Sequence, residues 1–271
     1  TLGGRFFIYD AYPYSFKEYL AAQQLELKEH WEYDTIQRSE VKRHLNEYLY
    51  YGGLPEIQSF KNKRAMLSSL YQKIYLGDIC ARNNIKNDRV LNILIKKMAE
   101  SVKQPLSYNR LKNVIVATGS PISVPTAIDY VDYASDSWLI LPLENEVGKL
   151  TEKEMQKKYY FVDNGLLNLF LMNSETSLLE NMVAVELFRR YGKENVYYLN
   201  ADKEIDFIVP DEKLAIQVSY SIKDETTYNR EVPPLAKYAK AHEDWKCLLI
   251  TYDEEGTEDG IPVVPIWKWL M

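Results

Sequence analysis

Residues 204–221 read EIDFIVPDEKLAIQVSYS, and this stretch decides the fold. Two apolar runs flank a Pro-Asp-Glu-Lys turn, so the pattern predicts strands at 204–210 and 214–220. Asp206 is a carboxylate inside a run of Ile, Phe and Val. Gln217 and Ser219 stand two residues apart, so strand periodicity puts both on one face. Asp206 can meet them from the neighbouring strand.

Metal-dependent phosphodiester hydrolysis draws two or three carboxylates onto Mg²⁺, which polarises the phosphate and activates water. A nearby lysine neutralises charge that develops in the transition state. One arrangement places a Glu on a helix, an Asp on a strand, and (D/E)-x-K on the next strand. Here Glu180 lies on the helix predicted over LLENMVAVELFRRYG (178–192), Asp206 is on the first strand, and Gln217-Val218-Ser219 occupies the third position. Gln217 brings an amide oxygen without charge, and Ser219 brings no ammonium. Lys213, Lys237 and Lys240 are the candidates for a migrated lysine. The residues thus predict a degenerate nuclease site of Glu180, Asp206, Gln217 and Ser219.

Beyond this pair, strands at 196–199, CLLIT and IPVVPI, with a helix near 228–242, predict a mixed α/β unit over 163–271. The acidic DEEGTEDG reads as an exposed loop. Upstream, LSYNRLKNVIVATGSPISVPTAIDYVDYASDSWLILPLEN predicts helices at 107–117 and 124–136 and a strand at 138–143. Lys158 to Val162 would return as a wing strand, with KLTEKEMQKK as the wing tip. That order predicts a winged-helix subdomain over 104–162. Its second helix carries Asp129, Asp132 and Asp136 and no Lys or Arg, so it would repel the phosphates that DNA binding must neutralise. A sequence-specific transcription factor is therefore the weakest reading.

Residues 1–103 read as an opening strand at 5–9 followed by helices. SFKEYLAAQQLELKEH (15–30) opens on a capping box of Ser15 and Glu18. EVKRHLNEYLYYG stops at Gly52-Gly53-Leu54-Pro55, and further helices are predicted at 64–83 and 88–103. Residues 61–97 hold nine Lys and Arg against two Asp, a net charge of +7, which reads as solvated helix faces.

The chain has 271 residues, 46% hydrophobic and 27% charged, with net charge −6. That is an ordinary globular composition, and its sign argues against wholesale nucleic-acid or membrane attraction. No apolar run approaches a membrane span, and TLGGRFFIYD lacks the features of a signal peptide. Cys80 and Cys247 are far apart and form no disulfide framework, so a reducing cytoplasm is expected. His30, His44 and His242 lack metal-ligand spacing and are expected at the surface. The 22 tyrosines fit packing with a polar rim. No G-x-x-x-x-G-K-[ST] loop is present, so this chain holds no P-loop. Lacking an initiator Met and opening in mid-strand, it reads as a piece of a longer protein.

Six stretches together resemble one large group of prokaryotic AAA-type ATPases. They are GGRFFIYDAYPYSFKEYL (3–20), LNEYLYYGGLPE (45–56), YLGDICARNNI (75–85), KKYYFVDNGLL (157–167), LLENMVAVELFRR (178–190) and EIDFIVPDEKLAIQVSYS. Members of that group carry a C-terminal domain of unknown function with a PD-(D/E)XK nuclease-like fold. The resemblance implies a C-terminal fragment: residues 1–103 as the end of the ATPase core and a helical linker, then the winged helix, then a restriction-endonuclease-like α/β domain. It implies ATP and Mg²⁺ as cofactors of the intact protein and none in this chain, an ATPase domain upstream as partner, and Arg5 near nucleotide. With Glu-x-Lys replaced, the resemblance implies a non-catalytic sensor or interaction module that binds protein or nucleic acid. The alternative is a Mg-dependent nuclease using Glu180, Asp206 and Gln217 with a migrated lysine.

Overall fold

A computed structural model of the protein describes residues 9–86, 88–172, 174–201 and 204–271. The opening-strand expectation and Arg5 fall outside the described residues, apart from Tyr9, which is not in a strand.

The N-terminal part is helical: α1 (Phe16–Ala22), α2 (Thr35–Tyr51), α3 (Pro55–Gln58), α4 (Lys63–Lys73) and α5 (Asp88–Glu100), with a π-helix at Ile74–Ala81 after α4. The Ser15–Glu18 capping box forms, yet α1 ends at Ala22, well short of residue 30. Gln24 turns left-handed there, with φ of 58°. Asp34 accepts from the amides of Ile36 and Gln37 and so starts α2 earlier than the apolar pattern suggests. On α2, Val41, His44, Leu45, Tyr48 and Leu49 are all buried. They form one stripe at helical spacing, which puts His44 in the core rather than at the surface. Arg43 lies 2.8 Å from His44 Nε2. Burial, followed by the Arg43 guanidinium, pulls the imidazole pKa down. His30 and His242 are exposed as expected.

Next come β1 (Leu106–Ser107), α6 (Tyr108–Ala117), α7 (Val124–Asp136), β2 (Ile140–Asn145), α8 (Leu150–Met155) and β3 (Gln156–Phe161). β2 and β3 pair antiparallel, with Ile140 opposite Phe161 and Leu143 opposite Lys158; α8 sits at the hairpin tip. The C-terminal part runs α9 (Asn164–Leu167), α10 (Glu175–Tyr191), β4 (Tyr197–Asn200), β5 (Glu204–Val209), β6 (Leu214–Val218), α11 (Glu225–Ala241), β7 (Lys246–Thr251), β8 (Gly256–Glu258), β9 (Ile261–Pro265) and α12 (Ile266–Trp269). β8 lies within the stretch expected to be an exposed loop.

The protein is mixed α and β. Among the described residues its sheet has nine strands, in the order β1-β3-β2-β4-β5-β6-β7-β9-β8, with antiparallel pairs and parallel crossings at β2/β4, β6/β7 and β7/β9. Strand alternation sends Ile216, Val218, Leu248 and Ile250 into the main core with α10. Ala215, Cys247 and Leu249 go to the other face, against Val232 and Leu235 of α11. The main core runs unbroken from Phe16 to Leu270, across residues 103/104 and 162/163. The seam is also polar: buried Asn181 of α10 accepts the Phe161 amide at 2.7 Å and donates to its carbonyl at 2.9 Å. Asp163 accepts from Gly53 at 2.7 Å and Gly165 at 2.8 Å. Cys80 and Cys247 are buried free thiols. No helix among the described residues is long and apolar enough to cross a membrane.

Candidate functional site

β5 and β6 pair with Phe207 opposite Ile216, so the next step of that register sets Asp206 beside Gln217. Glu180 approaches from α10. A cavity of about 480 Å³ opens here, lined by Glu180, Glu204, Asp206, Gln217, Ser219 and Glu231 among others. The four residues singled out from the sequence therefore share one site.

The expected lysine candidates do not reach it. Lys213 pairs with Asp244 at 2.6 Å in the open, and Lys237 and Lys240 are exposed on α11. Lys158 comes instead, from β3. Its side chain is fully buried, and its Nζ lies 3.2 Å from Asp206 Oδ1, 3.6 Å from Glu180 Oε1 and 3.1 Å from Glu204 Oε1. The Tyr198 ring lies 5.6 Å from the ammonium. Burial alone would drive the Lys158 pKa down, but the carboxylates of Glu180, Asp206 and Glu204 outweigh it and raise the value. The three carboxylates therefore favour the ammonium form of Lys158.

Glu180 has the opposite problem. Burial, then the charge of Asp206, raises its pKa above the usual carboxylate range, against the pull of Lys158. Tyr160 donates to Glu180 Oε1 at 2.8 Å. A second unforeseen residue is Glu231 on α11, buried and accepting from Gln217 Nε2 at 2.5 Å. Burial and then Asp206 raise its pKa too, while Arg230 pairs with it from outside at 2.6 Å.

The polar groups of β5 and β6 are already engaged. Asp206 Oδ2 accepts from the Val218 amide at 3.0 Å, and Gln217 Oε1 accepts from the Asp206 amide at 3.2 Å. Ser219 Oγ donates to the Ser221 carbonyl at 3.0 Å. The oxygen donors are of the kind Mg²⁺ prefers, but their arrangement does not fit a metal ion. Among the described residues no three Asp, Glu, His or Cys side chains converge on one ion position. The Lys158 ammonium stands between Asp206 and Glu180, and Gln217 turns its oxygen to the backbone.

The fold and site define a mixed α/β protein with a buried lysine–carboxylate cage where a sheet meets a helix. The family model of the domain of unknown function DUF8612 matches residues 42–177, half of the chain, and the chain belongs to that family. The match includes Lys158 and ends just before Glu180. The chain is also similar to the uncharacterized protein MJ1544 of Methanocaldococcus jannaschii, 31% identical over 99% of this chain and 64% of that protein. An uncharacterized protein of Haemophilus influenzae is 30% identical over the whole of this chain and 66% of its own length. The chain thus spans just under two thirds of these relatives. No solved structure matches it.

Proposed function

We propose that the chain is a sensor or interaction module from the C-terminal part of a prokaryotic AAA-type ATPase, and that its nuclease-like site has lost metal-dependent hydrolysis. The observation that carries this reading is Lys158, a buried protein cation paired with the carboxylates that hydrolysis would need to offer Mg²⁺. The helix–turn–helix of α6 and α7 followed by the β2–β3 hairpin supports a winged-helix unit. The order α10, β5, β6, α11, β7 around Glu180, Asp206 and Gln217 supports a restriction-endonuclease-like unit. The greater length of the relatives leaves room for an ATPase domain, which would bring ATP and Mg²⁺ to the intact protein. The module's partner is protein or nucleic acid, and the acidic α7 disfavours sequence-specific reading of DNA.

One observation favours a second reading. Lys158 and Glu231 return an ammonium and a carboxylate to a site whose sequence lacks both at 219 and 217. On that reading the chain is a Mg-dependent nuclease with Lys158 as its migrated lysine. Incubation of purified chain with Mg²⁺ or Mn²⁺ and plasmid or single-stranded DNA separates the two. No cleavage is expected; cleavage that Asp206→Ala abolishes would overturn the non-catalytic reading.

A further inference from the structure

We propose that the outer face of α4, the π-helix and α5 binds the phosphate backbone of a nucleic acid, whatever its sequence. This rests on the interaction-module reading and names its partner and where that partner docks.

Residues 61–97 carry +7 while the whole chain carries −6, so the rest of the protein carries −13. Positive charge is thus concentrated in one helical stretch of an acidic chain, the electrostatic footprint of a polyanion site. Folding turns these charges outward. Leu67, Tyr71, Tyr75 and Ile79 are buried along α4 and the π-helix, while Lys73 and Arg82 are exposed. On α5, Leu91, Leu94, Ile95 and Met98 are buried, while Arg89 and Lys96 stand exposed two turns apart, ~10 Å along the axis. Tyr75 donates its hydroxyl to the Asp88 carbonyl, and the Ile85 amide donates to the Cys80 carbonyl at 2.9 Å. Those bonds hold the end of the π-helix against the start of α5 and gather Arg82, Lys86 and Arg89 at one corner.

Among the described residues, only Lys63 and Lys97 of this stretch form ion pairs, with Glu47 and Glu100. Lys73, Arg82, Lys86, Arg89 and Lys96 form none, so their counter-charge is mobile salt, which a nucleic acid's phosphates replace on binding. Between the cations lie Ser68, Ser69, Gln72 and Asn84, all exposed. Leu76 is the one large apolar side chain exposed there among the described residues, too little apolar surface to enter a lipid headgroup layer. Nucleic acid is therefore the polyanion this face fits. α5 packs on α7, whose exposed Asp129, Asp132 and Asp136 repel phosphate and confine the strand to α4, the π-helix and α5.

Fluorescence anisotropy of the full chain with labelled oligo(dT) and with a random-sequence duplex is the test. Binding is expected at low salt; with about four phosphates contacted, single-strand affinity should fall ~50-fold between about 50 and 200 mM salt. Lys73→Glu with Arg82→Glu should weaken binding at least ~10-fold and flatten the salt slope by about 2. Lys237→Glu with Lys240→Glu makes the same change in net charge on the exposed side of α11 and should leave affinity within ~2-fold. All four side chains are exposed, so circular dichroism should show both double variants folded. No binding to either probe at low salt, equal weakening by the two pairs, or capture by phosphatidylserine vesicles without nucleic-acid binding would overturn the proposal. Those outcomes leave the non-catalytic reading standing with a protein partner. Cleavage of the probe in Mg²⁺ would remove that reading instead.

Discussion

Replacing Lys158 with Met in metal-free buffer should be among the costliest single substitutions in this protein. Glu204 is half exposed, so its pair contributes at most about 1 kcal/mol. Asp206 and Glu180 have side chains only 9% and 5% exposed; without the ammonium Asp206 is left as a buried charge, while Glu180, whose pKa already stands high, takes up a proton. Breaking a buried pair in this way costs about 3–5 kcal/mol, a large share of a typical domain's ~5–15 kcal/mol. Urea unfolding should show the loss as a lower midpoint with an unchanged slope. Asp206→Asn leaves the ammonium with Glu180 and Glu204 and should cost about 2 kcal/mol. The double variant should be more stable than the two losses predict when added, by about 1–3 kcal/mol. The deficit of Lys158→Met should also shrink as pH falls. Without the ammonium, the folded-state pKa of Glu180 rises further above its unfolded value, so proton uptake favours the fold. Additive losses within ~0.5 kcal/mol, or a Lys158→Met cost below ~1 kcal/mol, would refute the cage as a coupled unit.

Asp163 gives a second pH signature. Burial raises its pKa from 3.8 to about 6, opposed by the amides of Gly53, Gly165 and Leu166. Its folded-state pKa thus lies above the unfolded one, so its stabilising contribution is full below about pH 4 and is lost as pH rises through 6, by ~3 kcal/mol. Asp163→Asn should remove that slope in urea unfolding between pH 4 and 6, and parallel pH profiles would contradict this. Gly52→Ala forces a side chain onto φ of 73° and sets its Cβ 2.0 Å from Asp163 Oδ1; a loss of roughly 3 kcal/mol or more is expected by thermal melting. Asn181→Ala orphans both polar groups of the Phe161 backbone and should cost about 2–4 kcal/mol, with faster hydrogen exchange at the Phe161 amide.

Most of the framework was legible in the residues. The strands of 204–221, the helices α6 and α7 and the long α10 and α11 follow from periodicity and turn chemistry, which are local. The register that sets Asp206 against Gln217 was legible for the same reason, since a short turn fixes it. The early end of α1 was not, because a capping box marks where a helix starts and says nothing of where it stops. His44 was legible in principle. It falls at the i+3 position of the stripe that begins at Val41, and a solitary-histidine argument looked for metal spacing rather than for that stripe. The π-helix at Ile74–Ala81 left no pattern that distinguishes it from the continuous helix expected there.

Lys158 and Glu231 are the instructive misses. Both were hidden because the site is assembled from elements far apart in the chain, and the sequence pattern looked for the lysine and the acid within three residues of each other. Lys158 was read as the start of a returning wing strand, at the end of the charged wing tip KLTEKEMQKK, where a lysine next to Lys157 is unremarkable. The tertiary fold separates those neighbours. Lys157 pairs with Glu144 and Glu154 outside, while strand alternation turns Lys158 inward to Asp206, 48 residues away. A buried ammonium costs several kcal/mol to desolvate unless it is paired, and each carboxylate around it faces the same cost. Neither side of the cage is affordable without the other. The lysine on β3 and the carboxylates on α10 and β5 therefore depend on one another, and their pairing ties the β2–β3 hairpin to the rest of the sheet and to α10.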